Sequence, residues 1–313
     1  MSHPTPTLRL PRLGVGAMTW GHRSPLAYGG ADSAAEERRA YEASLAAGAT
    51  LIDTAEFYGR GRSETRVGAL VREGAPSGCD PPIVATKFLP WPWRGARHLA
   101  RALDGSLSRL GLASVDLYQI HFPVPWMPLR DLAARLADVV GQGRVRAVGV
   151  SNYSARQMRI MHEALARRGV PLASNQVHYS LLHRVPETNG VLDACRELGV
   201  ALIAYFPLEQ GLLSGKYSPD TLPSGTRRFG RTFNRARLTS LAPAVELVTS
   251  IAARLGRPPA QVALRWLIEQ GGVIPIPGAK NGRQAAENVG ALAFSLEPPD
   301  VEALSAATRG WRI

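Results

Sequence analysis

Apolar runs of six to eight residues recur along the chain, and between them apolar positions fall at spacings of three and four. The runs are LGVGAM (13–18), TLIDTA (50–55), PIVATKF (82–88), VDLYQIH (115–121), VRAVGVSN (145–152), ASNQVHY (173–179), VALIAYF (200–206) and GVIPIPG (272–278). Each reads as a strand, and the spaced stretches read as amphipathic helices. Ser33 and Glu36 fit a capping box and Gly48 closes that helix. Leu99, Leu103, Leu107 and Leu110 lead to Gly111; Met158, Met161 and Leu165 follow a predicted N-cap at Ser154. Leu192, Cys195 and Leu198 run up to Gly199, and Val245, Val248, Ala252 and Leu255 up to Gly256. These stripes face a core, so the methionines are packing groups.

Near-continuous apolar strands joined through amphipathic helices imply a parallel sheet covered by helices. A doubly wound open sheet should carry G-x-G-x-x-G between its first strand and helix. Here Gly14 and Gly16 lead into Met18-Thr19-Trp20 without a third glycine at that step. The expectation is an α/β fold, a single (β/α)8 TIM barrel over 1–313, with its active site at the C-terminal ends of the strands.

Composition narrows the function. Of 313 residues 45% are apolar and 20% charged, ordinary for a globular protein. The net charge of +12 raises nucleic-acid binding, but the basic residues are scattered over helix faces such as EERRAYE, apart from one dense loop at 227–237. No zinc finger, helix-turn-helix or aromatic platform accompanies them, so no nucleic-acid partner is expected. Cys79 and Cys195 lie far apart and match no metal-ligand spacing. The N-terminus lacks a signal-type apolar core, and the longest apolar run, 198–206, is shorter than a bilayer span. A cytoplasmic protein without metal or membrane partner is expected, monomeric or weakly self-associating.

Asp53, Tyr58, Lys87 and His121 fall at or just after the ends of the second, third and fourth strands. A phenol with a pKa of about 10 can give a proton to a developing alkoxide but regains it poorly at neutral pH. A lysine ammonium beside it favours the phenolate, an aspartate can hold the lysine, and a histidine can hydrogen-bond the carbonyl oxygen. Singly, each residue also fits a structural role: a half-buried aromatic, a solvated lysine, a core histidine.

The strings IDTAEFYG (52–59), VATKF (84–88) and DLYQIHFP (116–123) resemble, in order and spacing, the signatures of the aldo-keto reductase superfamily. The resemblance runs from Leu13 to about Leu304, closest in flavour to a bacterial and plastid branch. It implies that Asp53, Tyr58, Lys87 and His121 form a catalytic tetrad and that NADPH supplies hydride. It implies that Ser151, Asn152 and Gln176 bind the nicotinamide carboxamide and that Tyr205 stacks under its ring. Leu208, Gly211 and Lys216 would line the pyrophosphate, with phosphate held after strands seven and eight. Lys280, Asn281 and Gln284 would meet the adenosine 2′-phosphate, Glu287 and Asn288 the adenine, and Arg228 would close over the cofactor. Thr19, Trp20, Phe206, Pro207 and Gly278 complete the implied cofactor surface. Relatives commonly carry arginine where Lys280 stands, and lysine lacks the bidentate fork.

Trp20, Trp91, Trp93 and Trp126 follow strand ends and, with Phe57 and Phe122, are expected to line an apolar substrate pocket; some would instead anchor proline-rich loops. The implied activity is NADPH-dependent reduction of aldehydes or ketones, with Tyr58 as proton donor. The alternative within the same superfamily is a cofactor-binding accessory subunit of the channel beta-subunit type, against which stands the lack of a long N-terminal extension.

Overall fold

The computed structural model describes residues 8–21, 33–223, 233–309 and 311. Eight parallel strands run in sequence order around one sheet: β1 (Gly14–Gly16), β2 (Leu51–Asp53), β3 (Ile83–Phe88), β4 (Val115–Ile120), β5 (Val145–Ser151), β6 (Leu172–His178), β7 (Ala201–Tyr205) and β8 (Val273–Pro275). The ring closes where Gly16 bridges Gly278 in parallel and its N–H donates to the Pro277 carbonyl at 3.1 Å. The expected barrel is the observed one.

Helices return the chain between strands: α1 (Ser33–Ala46), α2 (Arg62–Glu73), α3 (Leu99–Leu110), α4 (Leu129–Gly141), α5 (Ala155–Ala166), the short α6 (Val185–Thr188) with α7 (Val191–Leu198), then α8 (Arg235–Leu255) and α9 (Pro259–Glu269). After β8 come α10 (Gly282–Val289) and α11 (Pro298–Thr308). The capping box at α5 is complete, Ser154 accepting from Gln157 N–H while Gln157 reaches back to Ser154 N–H at 2.9 Å. At α1 it does not form: Ser33 is already helical, and Glu36 pairs instead with Arg39 at 2.5 Å. The leucine stripe of α3 and the Met158, Met161, Leu165 stripe of α5 are buried.

α8, 21 residues long with mean hydropathy 1.3, is the described helix long and apolar enough to cross a bilayer. It lies against α9 and α11, burying Leu238, Leu241, Ala244, Val248, Ile251 and Ala252.

Strand side chains alternate between helix shell and barrel lumen. Ile52, Val84, Tyr118, Val148, Val150 and Leu202 point outward into the larger core shared with the helices. Leu51, Ala85, Leu117, Ala147, Ile203, Ile274 and Ile276 fill the lower lumen, with Leu8 packed against them. Gly14 keeps that layer closed at β1: a Cβ there would meet the Leu51 carbonyl at 2.8 Å. One alternation further along β2, β3, β4 and β6 the lumen becomes polar, at Asp53, Lys87, Gln119 and Gln176.

Candidate active site

Asp53 ends β2, Lys87 lies in β3 and His121 follows β4, so three neighbouring strands deliver them to one end of the barrel. Tyr58 reaches the same place from the loop after β2, which turns through left-handed backbone at Gly59 and Arg60. Lys87 is wholly buried. Its ammonium donates to Asp53 Oδ2 at 2.6 Å, the Thr54 carbonyl at 2.9 Å and the Tyr58 hydroxyl at 3.3 Å, which occupies all three of its N–H bonds. Asp53 Oδ1 accepts from Gln176 Nε2 at 2.8 Å and Gln119 Nε2 at 3.3 Å. The His121 ring stands edge-on to Tyr58, centroids 5.7 Å apart, and stacks on Phe122 at 4.6 Å.

The electrostatics correct one expectation. Lys87 does pull the Tyr58 pKa down, but burial pushes it up more strongly and the Asp53 charge adds to that rise. The phenol stands above its ordinary value of 10.0 and is protonated at neutral pH, as a proton donor requires. Burial alone would discharge Lys87, yet Asp53 and Tyr58 hold its pKa above the usual range. Burial, with Lys87 nearby, pushes His121 down to about 3. The imidazole is neutral and has one N–H to offer a carbonyl oxygen.

Around this centre the β2, β3 and β4 loops present Phe57, Trp91, Trp93, Phe122 and Trp126, between 43% and 71% exposed although apolar. Five large apolar side chains thus stand exposed at the loops that follow the strands bearing the buried polar cluster.

Residues 12–309 match the model of the aldo/keto reductase family. This chain belongs to that family. It is 38% identical over 295 residues to the chloroplastic pyridoxal reductase of Arabidopsis thaliana, covering 91% of this chain and 79% of that protein. It is 34% identical over 304 residues to the L-glyceraldehyde 3-phosphate reductase of Escherichia coli K12, covering 91% and 85%. The glycerol dehydrogenase of Gluconobacter oxydans superposes with a TM-score of 0.82 at 28% identity, over 98% of this chain and 97% of its own. An aldo/keto reductase of Klebsiella pneumoniae in complex with NADP and acetate gives 0.74 at 27% identity, over 96% and 92%.

On the far side of the mouth the reductase gathers the other residues singled out from sequence. Asn152 sits in left-handed backbone at φ 62°. Its amide donates to the His121 carbonyl at 3.3 Å and to Ser151 Oγ at 3.0 Å, while its Oδ1 accepts from the Tyr205 hydroxyl at 3.1 Å. Ser151 and Gln176 are buried beneath it, Ser151 Oγ donating to the Gln176 carbonyl at 2.9 Å. Tyr205 is half-buried, its ring near-parallel to His178. The chain then turns through Phe206, Pro207, Leu208 and Gly211, with positive φ at Phe206, Glu209, Gln210 and Gly211, and Lys216 lies exposed beside Gly211.

After β8, Gly278 and Lys280 are exposed, and Asn281 caps α10 by accepting from Gln284 N–H at 2.9 Å. Gln284 Oε1 turns back to accept from Lys280 N–H at 2.9 Å. Glu287 is half-buried, and Asn288 is buried with its Nδ2 donating to the Gly278 carbonyl at 3.4 Å. Thr19 is half-buried three residues after β1. Arg228 lies outside the described residues.

Trp20 departs from the expectation. It is completely buried, with its indole N–H donating to the Ala279 carbonyl at 2.7 Å. It ties the β1 loop to the β8 loop and so forms no part of a substrate wall or cofactor surface.

Three groups escaped the sequence reading. Gln119 braces Asp53, and its position two residues before His121 on the same strand face was a usable signal. Glu209, buried in the β7 loop, accepts from His178 Nε2 and Ser180 Oγ, each at 2.6 Å. Glu56 joins Arg94 across two loops. Neither pairing leaves a local pattern, because the partners are 31 and 38 residues apart.

Proposed function

We propose that this oxidoreductase reduces aldehydes or ketones to alcohols with NADPH, Tyr58 giving the proton to the carbonyl oxygen. The observation that carries the reading is the Asp53–Lys87–Tyr58 chain of contacts ending beside a neutral His121 at an apolar mouth.

The cofactor fits the residues present. The flat Tyr205 ring and the Asn152 amide suit a nicotinamide, and Lys216, Lys280 and the N-terminus of α10 supply cationic and N–H donors suited to phosphate. When bound, NADPH supplies the hydride. This chain's own residues do the rest. His121 orients the carbonyl oxygen, the Tyr58 hydroxyl transfers its proton there, and Lys87 at 3.3 Å stabilises the phenolate left behind. Asp53 keeps the ammonium in place at 2.6 Å, and the tryptophan-lined loops shield the reacting groups from water.

The aromatic mouth favours aromatic or medium-chain aldehydes over short polar ones. Pyridoxal, on which the Arabidopsis relative is named to act, belongs in the same panel. The test is NADPH oxidation by the purified protein across aromatic aldehydes, ketones, quinones, pyridoxal and glyceraldehyde. Turnover of an aromatic aldehyde supports the reading; no turnover of any carbonyl overturns it.

A further inference from the structure

The turn after β3 holds an exposed pair of tryptophans with little packing of its own. Trp91 and Arg94 close it through reciprocal backbone bonds, Arg94 N–H to the Trp91 carbonyl at 2.7 Å and Trp91 N–H to the Arg94 carbonyl at 3.3 Å. Trp91, Pro92 and Trp93 between them are exposed, and the two indoles touch edge to face at 5.7 Å. With Trp91 45% and Trp93 71% exposed, apolar burial holds Trp93 in particular only weakly.

What reaches the turn from outside is Glu56. Its carboxylate takes both arms of the Arg94 guanidinium, Nη1 and Nη2 each at 3.0 Å, and its Oε1 also accepts from Leu89 N–H at 2.7 Å. The Arg94 guanidinium lies 5.1 Å from the centroid of the buried Phe88 ring. The pair is largely shielded, the Glu56 side chain 12% and that of Arg94 28% exposed. A bidentate, shielded fork fixes distance and angle together, which a single lysine contact does not. Glu56 stands two residues before Tyr58, on the loop that also presents Phe57.

We propose that the Glu56–Arg94 fork is a positioning device for substrate selection. It locks the Trp91–Trp93 wall to the loop bearing Tyr58, so that a bulky planar carbonyl compound is held at the proton donor. Neither side chain touches the reacting atoms. The proposal rests on the reductase reading above.

The effect is specific to substrates large enough to reach the tryptophans. In Arg94→Met the expected kcat/KM for 2-naphthaldehyde falls about tenfold, the scale of one lost charge-assisted contact. The loss lies mainly in KM, while propanal changes less than about twofold. Arg94→Lys, which keeps charge without the fork, stays nearer to Arg94→Met than to wild type. Parallel losses for both aldehydes, no loss for either, or full rescue by lysine would overturn the proposal.

A second measurement needs no turnover. Time-resolved tryptophan anisotropy of wild type and of Arg94→Met, each compared with its Trp93→Phe counterpart, isolates the Trp93 contribution; the fork predicts faster local motion in Arg94→Met, and an unchanged decay refutes it. A wild type that turns over no carbonyl of the panel above sinks the reductase reading, while the anisotropy still decides whether the fork holds the turn.

Discussion

A single phenol carries the proposed proton transfer, and its surroundings argue for that task in two opposing ways. Burial keeps Tyr58 protonated, while Lys87 waits 3.3 Å from its oxygen to stabilise the charge it acquires. Tyr58→Phe is therefore expected to lower kcat by about 10²–10⁴, with NADPH affinity by fluorescence titration unchanged; a variant with wild-type turnover would remove Tyr58 from that role. His121 gives a pH signature. Unfolded, it takes a proton near 6.5, and folded only near 3, so between those values the unfolded state binds more protons. Stability from this residue is complete above 6.5 and declines as pH falls toward 3. The melting temperature should fall over that window, and His121→Gln should fall less steeply. The tetrad was legible because its members sit in local strings at strand ends. Glu56 and Glu209 were not, since each acts on a partner that only the closed barrel brings near; Gln119 left a local signal, its place two residues before His121 on one strand face.

At the scale of elements, close approach decides which residues are replaceable. Gly68 lets α2 lie against α3: a Cβ there would fall 2.0 Å from the Leu110 carbonyl oxygen, a backbone atom that cannot swing aside. Gly68→Ala should destabilise the fold by about 3 kcal/mol through overpacking, read as a lowered denaturation midpoint with an unchanged slope. A midpoint within error of wild type would show that the two helices separate at little cost. Strand positions were readable because buried parallel strands are nearly all apolar. Their ends were less so. β8 stops at Pro275 where its run continues to Gly278, because its partner β7 ends at Tyr205 and the chain turns away at Phe206 with positive φ, so that after Ile276 the backbone bonds to β1 instead. Ser33 failed as a cap for a different reason: the helix had already begun there, and Glu36 found Arg39.

For the molecule as a whole, the barrel divides its mouth into an apolar side over β2, β3 and β4 and a polar, cationic side over β7 and β8. The division carries two expectations. Lys280→Ala should weaken NADPH more than NADH in fluorescence titrations, since only the former has a 2′-phosphate for an ammonium at that loop; equal losses would place Lys280 elsewhere. Across the mouth, wild type should show a higher kcat/KM for benzaldehyde than for glyceraldehyde, with Trp93→Ala or Trp126→Ala narrowing the gap. A preference for glyceraldehyde would contradict an apolar pocket.

The alternation of strand and helix, the placing of Asp53 and Lys87 at strand ends, and the family signatures could all be read from the amino-acid sequence. All of these are written in periodicity or in short contiguous strings. What depends on distance and burial needed the closed fold. It showed that burial outweighs Lys87 in setting the Tyr58 pKa, because desolvation depends on how much of the chain surrounds the phenol. It withdrew Trp20 from the mouth, because β1 closes against β8 and the indole N–H finds the Ala279 carbonyl 259 residues away. It also paired Glu56 with Arg94, an ion pair that comes into being when β2 and β3 lie side by side and their loops meet above the lumen.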